Sequence, residues 1–100
     1  MKRQSIEGGF WFDVDGADHY REGTRFDGQN QISRATGSQW DHEDLYRTRG
    51  GRWVLCSWSQ WQGSGTSYVV VTPDVAAAWL VRQGRDVPEE IQSIVDAQEV

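Results

Sequence analysis

Leu45-Tyr46-Arg47-Thr48, Arg49-Gly50-Gly51 and Arg52-Trp53-Val54-Leu55-Cys56-Ser57-Trp58 follow one another without a break. The first four residues read as a strand. Arg49-Gly50-Gly51 reads as a turn, with glycine supplying positive φ. Arg52 to Trp58 reads as the returning strand. Its alternate residues form two sets, Trp53, Leu55, Ser57 and Val54, Cys56, Trp58. Both sets are largely apolar, so this strand is expected to be central and covered on both faces.

Working outward, Tyr68 to Val71 reads as a third, β-branched strand beyond a loop at Gly63-Ser64-Gly65. Thr72-Pro73 then carries the signals of a helix start, a capping hydroxyl and a proline at the first helical position. Val75, Ala76, Trp79 and Leu80 make its apolar stripe, and Gly84 closes it. A last helix is expected from Pro88 to about Gln98, with Ile91, Ile94 and Val95 on one side. Upstream, Phe10-Trp11-Phe12 suits an entering strand. Val14, Ala17 and Tyr20 stand three residues apart behind Asp13, which predicts a short N-terminal helix. Thr24–Phe26 and Gln31–Thr36 read as short strands, and Asp41-His42-Glu43-Asp44 as an exposed loop or helical turn. The expected fold class is α+β, a small antiparallel meander with a short N-terminal helix and a C-terminal helix packed on one face. Residues 1–9 read as a flexible N-terminus, 10–84 as one α+β domain, and 85–100 as an acidic, helical C-terminal segment.

The chain has 100 residues, 37% of them hydrophobic and 12% aromatic. A chain of this size buries about 60–65% of its unfolded surface, enough for one modest core. Rings must supply much of that core. The formal net charge is −5. Asp86, Glu89, Glu90, Asp96 and Glu99 account for all of it, and the rest of the chain is balanced. No strongly basic footprint is present, which disfavours a non-specific nucleic-acid binder. Cys56 is the single cysteine, so no disulfide forms within the chain and a reducing, cytoplasmic setting is expected. No run approaches the ~20 apolar residues of a membrane span.

Few residues here promise chemistry. Adjacent side chains in Asp41-His42-Glu43-Asp44 point in different directions and do not close a metal site by themselves, and nothing in the sequence brings His19 to them. Cys56, in a central strand, reads as a small buried hydrophobe and not as a nucleophile for His19 or His42. Gly63-Ser64-Gly65 lacks the lysine and following helix of a phosphate loop. No catalytic residue, metal or cofactor is therefore assigned. The tryptophans remain. Trp53, Trp58 and Trp61 fall within ten residues, and Trp61 lies beyond the strand. Exposed Trp and Arg dominate interface energetics. Trp61, Trp58, Trp40, Arg47, Arg49 and Arg52 are therefore the candidate partner-binding residues.

The order of these segments resembles a set of small bacterial and phage or plasmid-type proteins of uncharacterised function. The resemblance rests on Phe12-Asp13, on Glu43-Asp44-Leu45-Tyr46-Arg47-Thr48, on Gly51-Arg52-Trp53-Val54-Leu55, and on Val71-Thr72-Pro73-Asp74 leading to Ala77-Ala78-Trp79-Leu80. It spans roughly residues 10–84 and departs from that pattern over Gly28–Trp40 and Trp58–Trp61. It implies the fold and a mobile-element context, and it transfers no catalytic residue. The resulting expectation is a non-catalytic protein-binding module, an inhibitor or accessory factor acting on a host protein such as a defence complex. The alternatives are a single-strand nucleic-acid binder that stacks bases on Trp and Arg, a small metal-assisted enzyme built on His42, and a homodimer that covers a sheet face.

Overall fold

The structure, a computed structural model, describes residues 1–61 and 65–100. The expected loop at Gly63-Ser64 lies outside the described residues. In chain order the strands are β1 (Arg3–Ile6), β2 (Phe10–Asp13), β3 (Asp18–Tyr20), β4 (Thr24–Phe26), β5 (Gln31–Ser33), β6 (Asp41–Arg47), β7 (Trp53–Ser59) and β8 (Ser67–Val71). Helix α1 (Pro73–Arg82) follows, then a 3-10 turn (Glu89–Ile91) that runs into α2 (Gln92–Ala97). The architecture is α+β. A four-stranded antiparallel sheet has the order β3-β6-β7-β8, and β1-β2 and β4-β5 are separate hairpins.

The hairpin β6-β7 is the spine of the molecule, paired from Asp41↔Ser59 to Arg47↔Trp53. Its turn is closed by the Arg52 and Gly51 amides, which donate to Thr48 Oγ1 at 3.1 Å and the Thr48 carbonyl at 3.0 Å. Gly51 sits at φ 81°, where a side chain would be strained. Successive side chains of a strand point to opposite faces, and both faces of this sheet are covered. On one, Leu45, Trp53, Leu55 and Val71 meet Ala76, Ala77, Trp79 and Leu80 of α1 together with Ile91. On the other, Tyr46, Val54 and Cys56 meet Ile6 and Phe12 of the β1-β2 hairpin. Phe12 lies tilted between Tyr46 and Tyr68, with ring centroids 5.4 Å and 5.9 Å away.

Helix α1 begins as its sequence signals require. Thr72 Oγ1 accepts from the Val75 amide, and Pro73 opens the first turn. The expected stripe differs at one position: Ala76, Trp79 and Leu80 are buried, Ala77 joins them, and Val75 is half exposed. Two adjacent alanines let the helix backbone come close to the sheet, which a valine at either position would hinder. The acidic segment packs onto the domain as well. Ile91 is buried, Ile94 and Val95 lie against the same core, and the Gln98 side chain donates to the Asp74 carbonyl at 3.0 Å.

Three expectations change. The N-terminal helix does not form. The Val14 amide still bonds the Lys2 carbonyl at 2.9 Å, and the Ala17 amide closes one turn on Val14 at 3.3 Å. Asp18–Tyr20 are then extended and pair with Leu45–Arg47 as β3. The three-residue spacing came from that turn, and the sheet edge supplied hydrogen bonds a helix interrupted by Gly16 would have had to make locally. Gly16 is held there by proximity: a Cβ would lie 2.8 Å from Asp13 Oδ2 and 2.9 Å from the Arg49 side chain. Residues 3–6, read as loose, form β1, because Ile6 closes the second core. Asp41-His42-Glu43-Asp44, read as loop, is the first half of β6. Across the strand from it stand Cys56 to Ser59, which fix it as extended.

Candidate functional site

The six residues anticipated for binding do not form one patch. Trp40 and Trp61 stand together at the open end of the β6-β7 hairpin. The Gln60 amide bonds the Trp40 carbonyl at 2.9 Å, which pins the two flanking segments. The two rings lie 5.1 Å apart between centroids, and the residues are 41% and 60% exposed. Trp58 sits below them, half-buried, with its ring stacked on His42 at 5.4 Å. Arg49 and Arg52 lie at the other end, beside the turn. Seven paired strand residues separate the ends, about 20 Å at the rise of a strand. Arg47 is on the opposite face, paired with Glu90 and 5.9 Å from the Trp53 ring.

Below Trp58 the same face carries a polar network whose centre, Glu22, the sequence did not single out. Glu22 follows β3, and its carboxylate is nearly buried. Glu22 Oε1 accepts from Ser33 Oγ at 2.6 Å and from the Glu43 amide at 2.9 Å. Glu22 Oε2 lies 2.6 Å from His42 Nδ1. A second pair stands beside it: His19 Nε2 is 2.7 Å from Asp44 Oδ2, and Asp44 Oδ1 accepts from the Glu22 amide at 3.0 Å. His19 is stacked on Tyr46 at 4.4 Å. Two histidines are thus each oriented by a carboxylate, and His42 Nε2 is buried without a protein partner. The arrangement ties the segment after β3 to β5 and β6. Glu22 carries no local sequence signal, because its partners are 11 to 21 residues away.

Cys56, across the strand from the network, is not an activated thiol. Cys56 pairs across the strand with Asp44 and is buried, and burial pushes its thiol above the ordinary range. A reactive cysteine needs the opposite shift. Burial likewise raises the Tyr46 hydroxyl, and it pushes Tyr68 up to about 12. Among the described residues no group of three His, Cys, Asp or Glu side chains is placed to hold a metal ion. His19 and His42 are each committed to a carboxylate of their own instead. No helix among the described residues is long and apolar enough to cross a membrane. Compared with protein-family models, curated proteins and solved structures, the chain matches none.

Proposed function

We propose that this chain is a non-catalytic protein-binding module that uses the Trp40–Trp61 pair as its anchor. The exposure of those two rings side by side carries the reading. A tilted aromatic pair left in water forgoes the burial of both rings, roughly 25 cal/mol for each Å² of apolar surface. Paired, rigid, amphipathic rings are the groups that supply most of the affinity in protein interfaces. Trp58, half-buried and stacked on His42, is the next tryptophan along the hairpin. The resemblance to small phage- and plasmid-type proteins suits an inhibitor or accessory factor that acts by covering a surface of a host protein. Trp40 and Trp61 also lie within the two segments that depart from that pattern.

The test is affinity capture with the tagged chain beside its Trp61→Ala variant. One stoichiometric protein, recovered by the parent and lost by a variant that melts at the same temperature, supports the reading. Recovery of nucleic acid with a steep salt dependence replaces it with base stacking on the two rings. An empty capture from both overturns it, and light scattering then decides whether the rings serve a homodimer.

A further inference from the structure

The outer side of α1 carries apolar residues that the sheet does not use. Ala76, Ala77, Trp79 and Leu80 are buried in the core, while Ala78 and Val81 are exposed, Val81 at 49%. Between α1 and α2 lies a groove of about 650 Å³, lined on the α1 side by Ala78 and Val81. Val95 of α2, half-buried, lines the other side, and Asp96, Gln98 and Glu99 complete it. One end of the groove is held in shape where the Gln98 side chain donates to the Asp74 carbonyl at 3.0 Å. An exposed apolar strip rimmed by polar side chains marks a contact surface.

The charge of this lining has one sign. Asp96 and Glu99 contribute carboxylates, and no Lys or Arg lines the groove. Neither carboxylate lies in an ion pair among the described residues. Asp96 Oδ1 accepts from the neutral Gln92 side chain at 3.0 Å. Arg82, next to Val81 in the chain, is drawn away, and its Nη1 donates to the Ala35 carbonyl at 3.2 Å. Arg47 is held by Glu90. From residue 86 to residue 100 the chain has five acids and no base. An apolar floor beside two unpaired carboxylates is complementary to an apolar side chain flanked by cations. The same carboxylates repel an anionic membrane surface and a nucleic-acid backbone.

We infer that the α1–α2 groove receives a basic segment of a partner protein, which seats one apolar side chain between Val81 and Val95 and places Lys or Arg side chains on Asp96 and Glu99. The apolar side chain supplies affinity by leaving water, and the cations supply orientation and choice of partner. No residue of the β6-β7 hairpin lines this groove, so the inference stands apart from the Trp40–Trp61 pair.

The experiment selects random linear peptides displayed on phage against the full chain, after depletion on the double variant Asp96→Lys, Glu99→Lys. The enriched peptide is then synthesised with a fluorescent label and titrated against the parent, the double variant, Val81→Glu and Trp61→Ala. The altered groove residues are all exposed, and thermal melts confirm that each variant folds. The expected peptide carries Lys or Arg on both sides of an aliphatic or aromatic residue. It binds at least about tenfold more weakly to the double variant and to Val81→Glu, binds Trp61→Ala unchanged, and shifts the Val81 and Val95 methyl resonances. Val81→Glu separates the groove from charge alone, since an added carboxylate would strengthen binding to an acidic patch without a floor. No enrichment, enrichment of acidic or uncharged peptides, or binding indifferent to Val81 overturns the inference. Light scattering that finds parent dimers dissociated by the double variant assigns the groove to a second copy and also overturns it. If capture through Trp61 succeeds while the peptide selection fails, the groove alone is refuted. If the peptide binds and capture fails, the Trp40–Trp61 reading is the one that falls.

Discussion

The two faces of the central sheet are made by the same strands, yet they are finished differently. The face under α1 is closed. Leu45, Leu80, Ala76 and Ala77 have no exposed surface there, and the half-buried Glu43 accepts from Trp79 Nε1 at 3.1 Å. The face under the β1-β2 hairpin is closed only over Tyr46, Val54 and Cys56. Beyond the hairpin it passes into the His19–Asp44 and His42–Glu22 pairs and then into exposed tryptophans. The lesson is that a two-strand cover cannot span a seven-residue strand pair. The uncovered remainder must be polar and internally satisfied, or apolar and available to something else. Here it is both, in adjacent zones.

Substitutions can break this contrast. The largest effect is expected on the closed face. Leu80→Ala should lower unfolding free energy by about 3–5 kcal/mol, because α1 cannot collapse onto the space left. Urea titration followed by circular dichroism measures it. A loss under 1 kcal/mol would mean that α1 is not the lid of that core.

Next comes the polar zone. Glu22→Ala strands the Ser33 hydroxyl, the Glu43 amide and the His42 ring together. The expected cost is about 2–3 kcal/mol, with Glu22→Gln costing less because one acceptor oxygen remains. Equal stability of all three proteins would show that water satisfies these donors and that the network is not structural.

Alkaline pH probes the hairpin-covered zone. Tyr68 is raised from 10.0 to about 12, chiefly by burial. Its folded form therefore keeps a proton that the unfolded chain has released. The contribution is fully present below pH 10 and is lost as pH rises through about 12. Cys56 and Tyr46 are raised by burial too, so they act in the same direction. Thermal melts across this range should show a falling midpoint, shallower in Tyr68→Phe. A flat profile would place Tyr68 in contact with solvent.

The smallest stability effect belongs to the open end. Trp61→Ala should change unfolding free energy by less than about 0.5 kcal/mol, while it removes partner capture. A loss of several kcal/mol would instead make Trp61 part of the fold.

How far these regions could be read in advance follows from the range of their contacts. The Arg49-Gly50-Gly51 turn, the two-faced strand after it and the Thr72-Pro73 helix start are written in neighbouring residues, and all three form. Val14, Ala17 and Tyr20 misled, because three-residue spacing fits one turn as well as a helix, and only pairing with Leu45–Arg47 decides. Glu22 was illegible: an isolated acid between Arg21 and Gly23 is ordinary until Ser33, His42 and Glu43 are brought around it. Trp40 and Trp61 are both candidate partner-binding residues from the sequence, but their contact with one another needed the β6-β7 register. The same register carried Arg49 and Arg52 away to the other end.

The sequence by itself determined the strand–turn–strand spine, the helix that follows it and the reliance of the core on aromatic rings, since these depend on propensity, capping and alternation within a few residues. Only the tertiary structure decided which face stays open, which carboxylate orients each histidine, and that Trp40 and Trp61 stand at one end of the sheet and Arg49 and Arg52 at the other. Those outcomes depend on pairings between residues far apart in the chain, and a pairing has no signature in either segment alone.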